Sequence, residues 1–435
     1  LLASKIPDAR AAYRSRRSGA RFSVAQFATP AVGDIILLNA NSKDACTNSQ
    51  KRPARVMAVS SHAIVVADTT NPAGGFTSAD FASFAATFDQ YIDPTDRQNF
   101  GEPTDIDTNG HVILFFTSAV NALTPAKANY FVGGFFFSRD LFPLTTSSTG
   151  LQGCAGSNTG ELFYLLVPDP TGVVNGNKFT KAFVTSATIG IVAHEYQHLI
   201  NASRRIYINS AATDFEETWL DEGLSHIAEE LLFYARTSLG PRQDIDATFL
   251  RSNATYVSVF NEDAIDNFGR VKDYMSAPST SSPYADNDSL STRGGAWSFL
   301  RYAADQSSAT DQSTIWRAID NGPAIGLANL TAVFGSTLQQ QFRNWGIALM
   351  TDNVSGVDAK YQMLSWDYRS IMVALSQTAT YPLATLMWTN GSPTSVSIVG
   401  GGAAYMRFAV GATQTGSVTW GVLPANVTLT VARLK

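Results

Sequence analysis

His194-Glu195-Tyr196-Gln197-His198 and, a short interval later, Trp219-Leu220-Asp221-Glu222-Gly223 decide how the rest of this chain is read. Two histidines four positions apart on a helix lie one turn above each other, about 6 Å apart on one face, so both rings can reach one metal ion. Glu195, beside the first histidine, is placed to reach water at that ion. A hydrolytic zinc site takes three protein ligands and keeps a fourth position for water, so one more donor is required. Glu222, 24 positions beyond His198, is the best candidate. Glu216 and Glu217 are its rivals, although carboxylates so placed more often decorate a helix N-terminus. The competing explanation is a buried helix whose histidines bond internally. With only five histidines in the chain, the HExxH spacing and the second acidic segment together favour a metal.

These residues also carry a resemblance. HExxH followed by a glutamate on a second helix resembles the gluzincin metallopeptidases, and WLDEG is similar to the WLNEG of their aminopeptidase N branch, whose glutamate binds zinc. The longer stretches HEYQHLIN (194–201) and WLDEGLSHIAEEL (219–231) most resemble the hyicolysin-type secreted bacterial metallopeptidases. The likeness is strong over 161–234 and fainter back to 101 and on to 345. It implies an α+β fold with a thermolysin/gluzincin-like catalytic core, in which a sheet and the active-site helix precede a helical half. It also implies one Zn2+ per chain on His194, His198 and Glu222, with Glu195 as general base.

Length and composition set the bounds. The 435 residues suffice for two or three domains with a well-buried core. A net charge of −5 gives no footprint for nucleic acid or an anionic membrane, and no apolar run approaches the roughly 18 residues of a membrane span. The chain starts Leu1-Leu2-Ala3-Ser4 rather than with Met, as expected if a leader or propeptide has been removed or left out. Cys46 and Cys154, the only two cysteines, sit in Ser/Thr/Asn/Gly-rich loops; they read either as one disulfide or as two reduced thiols. Composition of this kind fits a secreted protein.

Taken in order, 1–21 reads as an extended arm or pro-segment remnant carrying Arg10, Arg14, Arg16, Arg17 and Arg21. Residues 22–75 alternate short apolar runs with turns, as in a β-rich lead-in domain. Residues 76–240 form the catalytic part. In it Phe81, Phe84, Phe88 and Tyr91 mark a helix that Pro94 should end. Runs at 111–116, 131–137 and 161–167 read as strands, and helices start near Thr180 and Asp214. Residues 241–380 read as a helical half closing the cleft, with a loop at about 277–291, and 381–435 as a small C-terminal β-sandwich. Asp105-Ile106-Asp107-Thr108-Asn109-Gly110 resembles the opening of a calcium loop, with Asp105, Asp107 and Asn109 as oxygen donors. Phe116 stands where such a loop needs its glutamate, so a plain Asp/Asn/Gly turn is the alternative.

The expected function is a secreted zinc endopeptidase acting on protein or peptide substrates. His226, one turn beyond Glu222, reads as a partner orienting a ligand, an oxyanion donor or a core histidine. Arg293 and Tyr284 are the other candidate oxyanion donors, ranked in that order ahead of His226; His62 and His111 are not expected to be ligands. An aminopeptidase would need an acidic cluster for the substrate amine, and no GxMEN-like segment precedes HExxH. A surface-binding module with a purely structural zinc would have no use for the non-ligand Glu195. Oligomeric state cannot be read at this level.

Overall fold

The computed structural model describes residues 2–17, 29–44, 46, 49–144, 153–375, 380–389 and 391–433. A six-stranded mixed sheet lies at its centre, in the order β1-β2-β3-β4-β6-β5. Strands β1 (Ile35–Asn39), β2 (Lys51–Val59) and β3 (Ala63–Asp68) form an antiparallel meander. β4 (Val112–Phe116) runs parallel to β3, β6 (Leu162–Leu165) runs parallel to β4, and β5 (Gly134–Phe136) closes one edge antiparallel to β6. The lead-in strands are therefore part of the central sheet, not a layer of their own. The cause is visible in β3: Ala63, Ile64, Val65 and Val66 are all fully buried, so the strand needs cover on both faces and partners on both edges.

Strand alternation divides the sheet between two cores. Val65, Leu114, Phe116, Phe163 and Leu165 point to the helical side, where Tyr196, Leu199, Leu220 and Leu224 meet them in one continuous apolar cluster. Ile64, Val66, Phe115, Leu162 and Tyr164 line the opposite face with Leu38, Val120 and Phe179.

The N-terminal segment is not an extended arm. Helix α1 (Ile6–Arg17) packs Ile6 and Ala9 against Leu141, Ile206 and Tyr207. Arg10 donates to the carbonyl oxygens of Arg205, Ile206, Asn209, Ser210 and Ala212 at 2.8–3.0 Å. These carbonyls belong to and follow the π-helical turn Arg204–Ile208, where backbone acceptors need outside partners. Arg10, in a stretch expected to be an extended arm or pro-segment remnant, thus acts as a carbonyl cap.

Helix α2 (Ser78–Thr87) begins with a capping box between Thr77 and Asp80. It passes through the π turn Phe88–Ile92 into α3 (Asp93–Phe100). Pro94 does not end a helix here; it occupies the first turn of α3, where its missing N–H costs nothing. After the short α4 (Ser118–Asn121) come the two long site helices, α5 (Lys181–Ser203) and α6 (Thr218–Thr237). The helical half comprises α7 (Ala247–Arg251), α8 (Ala254–Asp263), α9 (Ile265–Ser276), α10 (Leu290–Gln306), α11 (Ser313–Asp320), α12 (Gly326–Phe334), α13 (Leu338–Thr351) and α14 (Tyr368–Ala374).

The expected C-terminal β-sandwich is not formed among the described residues. Within 380–433 the regular strands are β7 (Leu386–Met387) and β8 (Met406–Arg407), a parallel pair. Val410, Val422, Leu429 and Val431 remain exposed. Alternation specifies a sandwich only when a second layer covers the apolar face, and those side chains have no such cover.

Cys46 and Cys154 form a disulfide across a sequence separation of 108. Cys154 is fully buried in the cluster that includes Ile6, Leu141 and Ile206. Replacing both cysteines by serine is expected to cost about 3–5 kcal/mol through the longer unfolded-state loop. Chemical denaturation of the two proteins, monitored by tryptophan fluorescence, measures this.

Candidate metal centre

Helix α5 is capped at Thr180, whose hydroxyl accepts the Phe183 N–H at 3.2 Å. From Val192 to Gln197 every residue is buried, because the sheet covers one side and α6 the other. Edge strand β5 lies directly along this helix. A Cβ at Gly134 would sit 2.8 Å from Ile191 Cγ2 and 3.2 Å from Glu195 Oε1, so only glycine allows the backbone this close. On the far side, a Cβ at Gly223 would meet Leu300 Cδ1 at 2.9 Å and Ala296 Cβ at 3.1 Å. That glycine lets α10 press against α6, which brings Arg293 onto Glu222.

His194, His198 and Glu222 converge. Their facing atoms are His194 Nε2 and His198 Nε2 at 3.2 Å, His194 Nε2 and Glu222 Oε2 at 3.3 Å, and His198 Nε2 and Glu222 Oε1 at 3.8 Å. Ligand atoms placed tetrahedrally around zinc at about 2.0–2.1 Å are about 3.3 Å apart. The donor set and its spacing therefore fit zinc.

Electrostatics supports the same conclusion. His194 Nδ1 is 2.8 Å from Glu229 Oε1, and His198 Nδ1 is 2.8 Å from Asp221 Oδ2. A carboxylate on Nδ1 fixes the proton there and leaves the Nε2 lone pair facing inward. Two such lone pairs 3.2 Å apart require a cation between them. Burial opposes charge on His198, but Asp221 and Glu222 outweigh it and raise its pKa to about 10. Burial likewise opposes ionisation of Glu222, yet Arg293 and the two histidines hold its carboxyl well below the usual range. Glu195, which binds neither histidine, is raised chiefly by burial.

The rival ligands are engaged elsewhere. Helix α6 starts at Thr218, not near Asp214, because the preceding residues are drawn away. Glu216 forms a buried ion pair with Arg205 and accepts the Gly326 N–H at 2.6 Å. Glu217 Oε2 accepts from Trp219 Nε1 at 2.6 Å. His62 lies 3.5 Å from Asp93, while His111 bonds the carbonyls of Asn109 and Ser60.

Of the three candidate oxyanion donors, Arg293 reaches Glu222: its Nη1 lies 2.8 Å from Glu222 Oε2 while Nε holds Asp288 at 2.6 Å. The first contact is an ion pair without hydrogen-bond alignment, since Glu222 Oε2 accepts no hydrogen bond. Tyr284 instead packs on Trp219 and Phe342 and against Gly401. His226 packs its ring on that of His194, with centroids 4.7 Å apart. Its Nδ1 is 3.1 Å from Glu229 Oε1, the oxygen that also holds His194; burial, then Arg270, lowers its pKa to about 3. Asp221 and Glu229 are the residues sequence reasoning did not single out. Adjacency to Glu222 and a two-turn step along its face were the available signals.

The mixed α/β fold thus surrounds a convergent set of donors that could hold a metal ion. No family model matches the chain. Over 145 residues it is 30% identical to the neutral metalloprotease ShpI of Staphylococcus hyicus, a match covering 33% of this chain and 29% of that protein. The similarity supports a metallopeptidase relationship over that third of the chain.

Asp221→Asn and Glu229→Gln, which remove the carboxylates behind the two histidines, are each expected to weaken zinc binding about 10–100-fold. Competition with a chromophoric chelator measures the affinity, and circular dichroism checks that the fold persists.

Proposed function

We propose that this protein is a zinc-dependent endopeptidase of the gluzincin type. The observation that carries the reading is Glu195, a buried carboxylate that pairs with neither histidine and lies between the ligand cluster and the backbone of β5. A structural zinc site has no use for such a base. His194, His198 and Glu222 would hold the ion, about one per chain, which when bound supplies a Lewis acid that activates water and polarises the scissile carbonyl.

The chain's own groups do the remaining work. Glu195 accepts a proton from the attacking water and delivers it to the leaving amine; burial raises its pKa toward the range useful for that exchange. Glu229 and Asp221 keep the two imidazoles in the ligating tautomer. Arg293 stabilises the oxyanion, because a guanidinium has five N–H donors and its contacts with Glu222 and Asp288 leave others free. An extended peptide is accommodated by β-addition to β5, whose outer edge has no strand partner among the described residues. In this reading 76–240 carries the metal ligands and the base, and 241–380 closes the cleft and supplies Arg293. The disulfide supports an oxidising, extracytosolic compartment for this reading.

Glu195→Gln is expected to abolish casein hydrolysis while zinc content stays near one per chain, whereas Glu222→Ala loses both. Elemental analysis and a peptidase assay on the same preparations read this directly. A Glu222→Ala protein with undiminished zinc and activity removes the ligand assignment.

Arg293→Ala should lower kcat about 100-fold with zinc content and KM little changed. If kcat stays within about twofold of wild type, the oxyanion donor is another group.

A further inference from the structure

The acidic turn ahead of β4 lacks the glutamate that its linear pattern calls for, and the fold provides one from elsewhere. Glu161, immediately before β6, meets the turn because β4 and β6 are parallel neighbours paired from Ile113 and Leu162 onward. Asp105, Asp107 and Glu161 each bring a carboxylate oxygen to within 4.8 Å of the other two. Asp105 is exposed, Asp107 is 6% exposed and Glu161 2%.

Glu161 is the decisive group. Its Oε1 accepts the Ile106 N–H at 2.8 Å, while Oε2 is buried and has no hydrogen-bond partner. The charges acting on it are those of Asp107 and Asp105, both of its own sign. Burial first, then these neighbours, pushes its pKa well above the ordinary carboxylate range, and burial, with Asp105 beside it, raises Asp107 to about 7. Buried like charges with an unpaired oxygen are stable only when a proton or a cation joins them.

We propose that Asp105, Asp107 and Glu161 form a second cation site, separate from the His194–His198–Glu222 centre, that takes a hard divalent ion of the calcium class. All donors are oxygens, which suits calcium rather than zinc. Three carboxylates offer up to six oxygens, and calcium's 6–8-coordinate shell at about 2.3–2.6 Å spans oxygens up to about 5 Å apart. Asn109 is not a ligand in this arrangement: its Nδ2 donates to Asp107 Oδ2 at 2.7 Å and its Oδ1 accepts the His111 N–H at 2.6 Å. It shapes the turn and steers Asp107.

The site's position gives it a role. Thr104 N–H donates to Ser203 Oγ at 3.2 Å, at the last residue of α5. Ile106 packs with Ala202 and Ile206. A bound ion therefore ties the starts of β4 and β6 to the end of the helix that carries His194 and His198, and stabilises the fold without taking part in hydrolysis.

The test uses the full chain, stripped of metal and reloaded with one equivalent of zinc, then titrated with CaCl2 by calorimetry and thermal melting. About one calcium per chain should bind, with Kd of about 10⁻⁵–10⁻³ M, and the melting midpoint should rise by several degrees. Glu161→Gln should remove the saturable calcium uptake and the calcium-dependent shift in melting. Asp105→Asn, a change at an exposed position, should weaken calcium about tenfold and shrink the calcium-dependent rise in melting; it decides the matter if Glu161→Gln does not fold. The proposal is overturned if wild type takes up no calcium, if its melting responds to pH near 7 but not to calcium, or if Asp105→Asn binds calcium as wild type does.

Discussion

Everything around the centre depends on one constraint: two imidazole nitrogens and a carboxylate of this protein face one another across about a bond's reach from a common point. Lone pairs at 3.2 Å repel unless a cation lies between them. Glu229 and Asp221 enforce that arrangement from behind by holding the Nδ1 protons. They are held in turn: Glu229 also receives His226 and lies 3.5 Å from Arg270 on α9. The orientation of the two imidazoles on α5 is thus set by side chains on α6 and α9.

The same packing decides which groups remain free to act. Glu195 is buried between α5 and the edge strand, so its carboxylate is desolvated beside the place where an extended chain can add to the sheet. Gly134 on one side and Gly223 on the other are two of the close approaches beside the centre. A side chain at either would push a wall outward, β5 in the first case and α10 with Arg293 in the second. The wall formed by α10 sets a cation 2.8 Å from Glu222.

Away from the centre, the elements before and after the sheet are fastened to the end of α5. Arg10 caps the carbonyls of the turn that follows it, Thr104 bonds its last residue, and the Cys46–Cys154 disulfide closes a loop beside the same apolar cluster. A long helix whose buried half carries the ligands gains from being held at its C-terminal end. Fraying there would move His198 before His194.

Local spacing alone predicted that His194 and His198 share one face, because a helix converts a four-residue step into a shared face whatever surrounds it. Glu222 was legible through its own short segment, and the strands at 63–68, 112–116 and 162–165 through their apolar runs. Three things were not legible, all for the same reason. An arginine-rich helix reads as an extended arm until the carbonyls it caps are known. The alternating C-terminal runs read as a sandwich until the cover they lack is known. Glu161 looks like an ordinary strand flank until β6 is laid beside β4. Periodicity reports which way a side chain points from its own backbone. What it meets there depends on which other segment folds against it, and only the tertiary structure decides that.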